Sequence, residues 1–244
     1  MKNCMPAAIV IRAIVLLGLL GFGRTVHGAD YTFESGPQKA HLLELFTSEG
    51  CSSCPAAESW FSKLKSEPGL WKEFVPLAFH GDYWNHLGWR DPFAVKEWTA
   101  RQYQYAARWK IDSVYTPGFV LDGREWRDRR LPQAATSKPG SLRLSIANGK
   151  VLAEFHPSQG NVRDVDLHVA RLGFDLTTKI TAGENNGRTL RQDFVVLSLV
   201  NEKMSDGKAD MPFAGGDTRA GAIAAWITAP EQIEPIQATG GWLR

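Results

Sequence analysis

Apolar and polar positions divide this chain into two textures. In the first half, residues 41–46 (His-Leu-Leu-Glu-Leu-Phe) form a short, mostly apolar run, which predicts a central strand. Residues 74–79 form a second. Between them Ala57, Phe61 and Leu64 are spaced four and three apart, the buried face of a helix that Pro68-Gly69 ends. Ala94, Val95, Trp98, Tyr105, Ala106 and Trp109 make a second helical stripe, preceded by Asp91 as N-cap and Pro92 at the first helical position. Residues 114–123 then read as a proline turn, a short strand and an Asp122-Gly123 hairpin turn into 124–126. Two strand–helix units feeding a hairpin predict a mixed sheet with helices on its faces.

The second half alternates instead. Residues 131–141 hold two prolines, Gly140 and small polar residues, and read as a linker. Residues 142–146 and 151–155 flank Asn148-Gly149, a strong hairpin signal. Further strands are predicted over 165–171, 194–200 and 222–228, with no convincing helix, so 142–244 is expected to be a small all-β, sandwich-like domain. Residues 183–190 (Gly-Glu-Asn-Asn-Gly-Arg-Thr-Leu) form a polar loop between two of those strands. It is either a solvated hairpin loop or a segment that docks on the first domain or a polar ligand through Asn185 and Arg188.

The first 28 residues differ from both halves. Lys2 and Arg12 precede or flank a ten-residue apolar core at 13–22, and Val26 and Gly28 suit a cut after Gly28. Roughly 20 apolar residues are needed to cross a bilayer, so a cleaved export signal is expected rather than an anchor. The mature chain is then periplasmic or secreted, with no membrane span. The whole chain has 28 Lys and Arg, 26 Asp and Glu, and a formal charge of +2. Losing Lys2, Arg12 and Arg24 leaves 25 basic residues against 26 acidic, which argues against nucleic acid as a partner. The expected organisation is a signal at 1–28, an α/β domain at 29–130, a linker at 131–141 and a β-rich domain at 142–244.

Export would also remove Cys4 and leave two cysteines, Cys51 and Cys54, in a compartment where disulfides persist. A C-x-x-C pair beside a strand–helix unit is the sequence form of a thioredoxin-like redox site. Unpaired N–H groups and the positive dipole end of the helix favour a thiolate at Cys51, and Pro55 fits the first turn. Ser52-Ser53 adds no cation and Glu49 opposes the thiolate, so moderate acidity is expected. Glu44 is odd in an apolar run. It either points to water at the strand end or is a buried acid below the cysteines that moves a proton to or from Cys54. Thr116 and Pro117 open the strand opposite the pair, where they could hold a partner chain.

Three functions compete on these residues. In thiol–disulfide exchange, Cys51 attacks, Cys54 resolves, Glu44 moves the proton, Thr116 and Pro117 hold exported protein thiols or disulfides, and no cofactor is needed. In metal binding, His80 or His86 joins Cys51 and Cys54 in a soft site for copper or zinc. In a non-catalytic binding module, a Cys51–Cys54 disulfide is a fixed staple closing a very short loop. His156 and His168 lie among strand residues and read as structural.

The segments 44–55, 80–84, 88–93, 115–117 and 183–190 together resemble the secreted thioredoxin-like family catalogued as domain of unknown function 1223. The resemblance spans about residues 40–228. It implies an α/β thioredoxin-like domain, a mixed sheet with flanking helices, followed by an appended β-rich domain. Ala56, Gly81 and Gly118 depart from the family pattern. The stretch after Trp126 has room for two helical turns or so, so the β-rich domain is expected to cover the face that a last helix would occupy.

Overall fold

The structure, a computed structural model, describes residues 1, 31–128, 130–160, 164–213 and 217–243. The predicted export signal at 1–28 lies outside the described residues, apart from residue 1. The strands are β1 (Tyr31–Glu34), β2 (His41–Thr47), β3 (Phe74–His80), β4 (Gly118–Leu121), β5 (Arg124–Glu125), β6 (Gly140–Ala147) and β7 (Lys150–Pro157). They continue with β8 (Val165–Gly173), β9 (Leu176–Lys179), β10 (Thr189–Gln192), β11 (Val195–Met204), β12 (Lys208–Pro212), β13 (Ala220–Thr228) and β14 (Pro235–Trp242). Two α-helices, α1 (Cys54–Ser62) and α2 (Lys96–Trp109), pack against the main sheet.

That sheet has eight strands in the order β14-β13-β8-β11-β3-β2-β4-β5. β2 and β3 run parallel, with Leu42 opposite Val75 and Phe46 opposite Phe79, and β4 runs antiparallel to β2. Strand alternation then sorts β2 into two faces. Leu43 and Leu45 pack on α1 through Ala57 and Phe61, and on Leu64 just beyond it. Leu42 and Phe46 pack on the other side with Trp98 and Tyr105 of α2. Each such buried side chain contributes roughly 1.5–3 kcal/mol, and these two cores clamp the sheet where β2 ends.

The chain does not divide at 131–141 into two sheets. β11 pairs parallel with β3 through Val195 and Ala78, so strands from both halves share the eight-stranded sheet. An expectation of a separate sandwich fails here because β3 would otherwise present an open edge, and β11 occupies it. Of the C-terminal strands β8, β11, β13 and β14 extend the sheet, and no α-helix follows Trp126 among the described residues. A second sheet, β1-β6-β7-β12, stacks on the extension through Leu142, Leu144, Val151 and Phe155 against Leu167, Ile223 and Ile227. β1, unread in the sequence, joins it by pairing with β6.

Local signals hold at the turns. Asn148 and Gly149 both have positive φ and join β6 to β7, and Asp122 and Gly123 do the same between β4 and β5. The second helix starts later than its Asp91-Pro92 signal. Its N-cap is Val95, and Lys110 ends it in the left-handed region. Asp91 caps nothing in α2, because its oxygens are used elsewhere: Oδ1 accepts from Phe93 N (2.9 Å) and Oδ2 from Glu49 N (2.8 Å).

Candidate functional site: a buried dithiol at the start of α1

β2 delivers the chain to residues 48–53, which turn and enter α1. Cys51 N donates to Ser48 O (3.1 Å) and Cys54 N to Cys51 O (3.3 Å), so Cys51 sits just ahead of the helix and Cys54 is its first residue. Pro55 occupies the first turn, as its chemistry requires. Ser53, the N-cap residue, makes no side-chain cap, and no acidic side chain lies in the first turn. The free N–H groups and dipole end therefore remain available to sulfur. The Ser53 hydroxyl lies 3.2 Å from Cys51 Sγ instead.

Opposite the pair stands Thr116. Cys51 Sγ donates to its carbonyl oxygen (3.7 Å), and the Thr116–Pro117 peptide is cis. Trp84 Nε1 donates to Thr116 Oγ1 (2.8 Å), and Gln102 Nε2 to Tyr115 O (2.7 Å), which fixes this turn from two elements. Trp84 also roofs Gly50: a Cβ there would come within 2.8 Å of the Trp84 Cβ, so only glycine fits.

The two thiols ionise in opposite senses. The Cys54 partner, together with Ser53 and Thr116, holds the Cys51 thiol well below the ordinary range against the opposing effect of burial. Burial pushes the Cys54 thiol up, and the neighbouring Cys51 adds to it. Both are free cysteines with no exposed surface, Cys51 just beneath the surface and Cys54 deeper. Glu49 opposes a thiolate less than its formal charge suggests. Burial and then Asp91 raise its carboxyl to about 7, and Trp89 Nε1 donates to it (3.0 Å).

Sequence parity misplaces one expected participant. Glu44 is fully buried, neither in water nor below the cysteines. It lies on the α2 face, where Arg101 Nε donates to Oε1 (2.6 Å) and the Tyr105 hydroxyl donates to Oε2. A strand reverses face at every residue, so the position three before Thr47 lies on the opposite side from it. The acid on the α1 face is Glu58, four residues after Cys54. Thr47 Oγ1 donates to Glu58 Oε1 (2.6 Å) and Gln192 Nε2 to Oε2 (3.2 Å). Burial raises the Glu58 carboxyl, with no cation hydrogen-bonded to it. Thr47 also lies beside the Cys54 thiol, so Thr47 links the two groups. The helical spacing from Cys54 was the available signal for Glu58, one turn on and therefore on the same face.

His80 ends β3 level with Thr47 and is fully buried. Its Nδ1 meets Asp91 Oδ2 at 2.7 Å. Burial works against its protonation, but Asp91 outweighs that and raises the imidazole; the same pairing lowers Asp91 against its own burial. Nε2 finds no hydrogen-bond partner among the described residues. No group of three His, Cys, Asp or Glu side chains that could hold a metal occurs among the described residues, so the expected thiolate–imidazole set is not brought together. His86 is exposed and bonds to Tyr83 O. His168, read as structural, stacks on Trp226.

Fold and site together define a largely β protein with few helices, built on mixed and antiparallel sheets, with a buried dithiol where a helix begins. The chain belongs to the family described as a protein of unknown function (DUF1223), whose model matches residues 42–227. It is similar to the crystal structure of a structural-genomics target protein from Agrobacterium tumefaciens, with 25% identity and a TM-score of 0.63 over 84% of this chain and 95% of that one. It is also similar in fold to HBP35 of Porphyromonas gingivalis, with 14% identity and a TM-score of 0.51 over 84% of this chain and 76% of that one. No curated protein matches the chain. Among the described residues no helix is long and apolar enough to cross a membrane.

Proposed function

We propose that this protein is an exported thiol–disulfide exchange protein whose first half is thioredoxin-like, acting on protein thiols or disulfides in the periplasm or outside the cell. One observation carries the reading: two adjacent thiols at a helix start, the outer one pushed toward thiolate and the inner one held protonated. That is the asymmetry exchange needs. The Cys51 thiolate attacks one sulfur of a partner disulfide, forms a mixed disulfide, and releases the other partner sulfur as thiolate. Cys54 then loses its proton and attacks Cys51 Sγ. The mixed bond breaks, the Cys51–Cys54 disulfide forms, and the second partner thiolate takes up the proton. The partner is reduced by two electrons and the dithiol oxidised; the reverse sequence oxidises a partner.

In this reading Thr116 and Pro117 present the backbone against which a partner chain lies. Glu58, through Thr47, takes the proton from Cys54 in the role first assigned to Glu44. The test is trapping. A Cys54→Ala variant exported in a living cell should accumulate mixed disulfides through Cys51, visible as reducible adducts on a non-reducing gel. Their absence, with the variant abundant and folded, overturns the reading.

A second reading has one observation in its favour, the complete burial of both sulfurs. Under it the pair is an inert staple in a binding module. A redox potential well below about −300 mV with no exchange onto a partner disulfide would select it.

A further inference from the structure

The backbone of the Cys51 loop is held from the far half of the chain. β9 and β10 form a two-stranded hairpin outside both larger sheets. It leaves the main sheet after Gly173 and returns at Val195, residues that face each other across the β8–β11 ladder. The root is held firmly. Asp175 N donates to Asp193 Oδ1 (3.0 Å), and Lys65 Nζ bridges Asp175 and Asp193 at 2.8 and 2.7 Å. Along the stem Leu190 and Gln192 turn inward, and Gln192 reaches Glu58 on α1.

The tip is held differently, by polar contacts on the loop that carries Cys51. Asn185 is fully buried. Its Nδ2 donates to Glu49 O (2.8 Å) and to Cys51 O (2.9 Å), while its Oδ1 accepts from Arg188 Nη1 (2.8 Å). The carboxylate of Glu184, an exposed residue, accepts from Ser52 N (2.9 Å). Gly183 closes the seam, since a Cβ there would lie 3.4 Å from the Trp89 Cβ. Every backbone group held by Asn185 or Glu184 can be satisfied by water once the tip lifts, so closure is favoured without being permanent.

We propose that the β9–β10 hairpin is a gate: its tip shuts the Cys51 loop in the resting protein and must lift before Cys51 can meet a partner sulfur. The gate rests on the exchange reading for its purpose. It reconciles a thiol poised for attack with a sulfur that has no exposed surface, and it places control of the site in residues 184–188, far along the chain.

The test reads access rather than exchange. Alkylation of Cys51 by iodoacetamide is followed by mass spectrometry in the full reduced protein. Rates are compared at the high-pH plateau, where the thiol is fully ionised, so that altered acidity cannot imitate altered access. Wild-type Cys51 should react at least about tenfold slower than in the urea-unfolded chain. Asn185→Ala should speed the folded protein by about tenfold, the effect of one buried hydrogen bond pair. Glu184→Ala should speed it several-fold, and its exposed position keeps the test valid if the Asn185 variant fails to fold. Equal rates in wild type and folded Glu184→Ala, or a wild-type rate matching the unfolded chain, overturn the gate. No partner is needed, so a protein that traps nothing can still show the gate, and one that traps partners can still lack it.

Discussion

The two faces of the central sheet each bury a carboxylate, and they treat it in opposite ways. On the α2 face, Glu44 meets the Arg101 guanidinium and the Tyr105 hydroxyl. Arg101 is further enclosed by the rings of Phe79, Tyr105 and Trp226, and the charge of Glu44 outweighs burial to raise its pKa. On the α1 face, Glu58 is hydrogen-bonded by a hydroxyl and a carboxamide, and the nearby His80 imidazole does not offset its burial. A buried acid paired with a guanidinium belongs to the framework. One with neutral partners is pushed toward its protonated form and can exchange a proton with what lies beside it. The difference lies in the partners, since both acids are deeply buried.

The sharpest way to break this contrast is Arg101→Ala. It strands a buried anion, and unfolding by denaturant should show a loss of about 3–5 kcal/mol. Restoring neutrality with Glu44→Gln in the same chain should recover much of that loss. On the other face, Glu58→Gln should leave the fold in place. It should slow the Cys54 step by about a hundredfold, measured as release of a preformed Cys51 mixed disulfide. A raised carboxyl holds its proton more tightly in the folded chain than in the unfolded one, so it costs stability above its ordinary range. Glu58→Gln should therefore gain stability relative to wild type as pH rises above the ordinary carboxylate range.

Glu49 gives the smallest and most quantifiable case. Its carboxyl is raised from 4.5 to about 7 by burial first and Asp91 second. The sign follows directly: below pH 4.5 both states carry the proton and nothing is lost. Between 4.5 and 7 the unfolded chain sheds it first, and the penalty grows until the folded group ionises too. Glu49→Gln should thus be more stabilising at pH 8 than at pH 4 by about 1–2 kcal/mol, discounted for screening near the surface. Denaturant midpoints at the two pH values check this.

Much of this arrangement was legible in the sequence, and what was not has common causes. The runs that became β2 and β3, and the turns at Asp122-Gly123 and Asn148-Gly149, depend on neighbours a few residues apart, so local pattern reveals them. The joining of β11 to β3 and of β1 to β6 depends on which edge each strand meets, which alternation does not encode. Cys51, Cys54 and the Thr116 carbonyl gather at the start of α1. Glu44 did not, because a strand's period of two fixes which residues share a face but leaves open which face receives α1. Asp91-Pro92 read as a helix start, but tertiary structure uses the Asp91 oxygens on His80 and Glu49, and α2 begins after Val95. The loop at 183–190 was visible as polar and capable of docking on the first half through Asn185, but the backbone groups it meets there were not.

Because Gly173 and Val195 already stand opposite each other in the ladder, the sheet needs nothing from the stretch between them except a way around the corner. The aromatic rings of Phe174 and Phe194 clasp at the neck of that detour, and the polar tip lies well beyond it. The covering is thus an accessory grafted at one seam of a self-sufficient frame. Its tip, residues 183–190, is among the segments that carry the family resemblance, so the detour and the cysteine loop beneath it belong to one pattern.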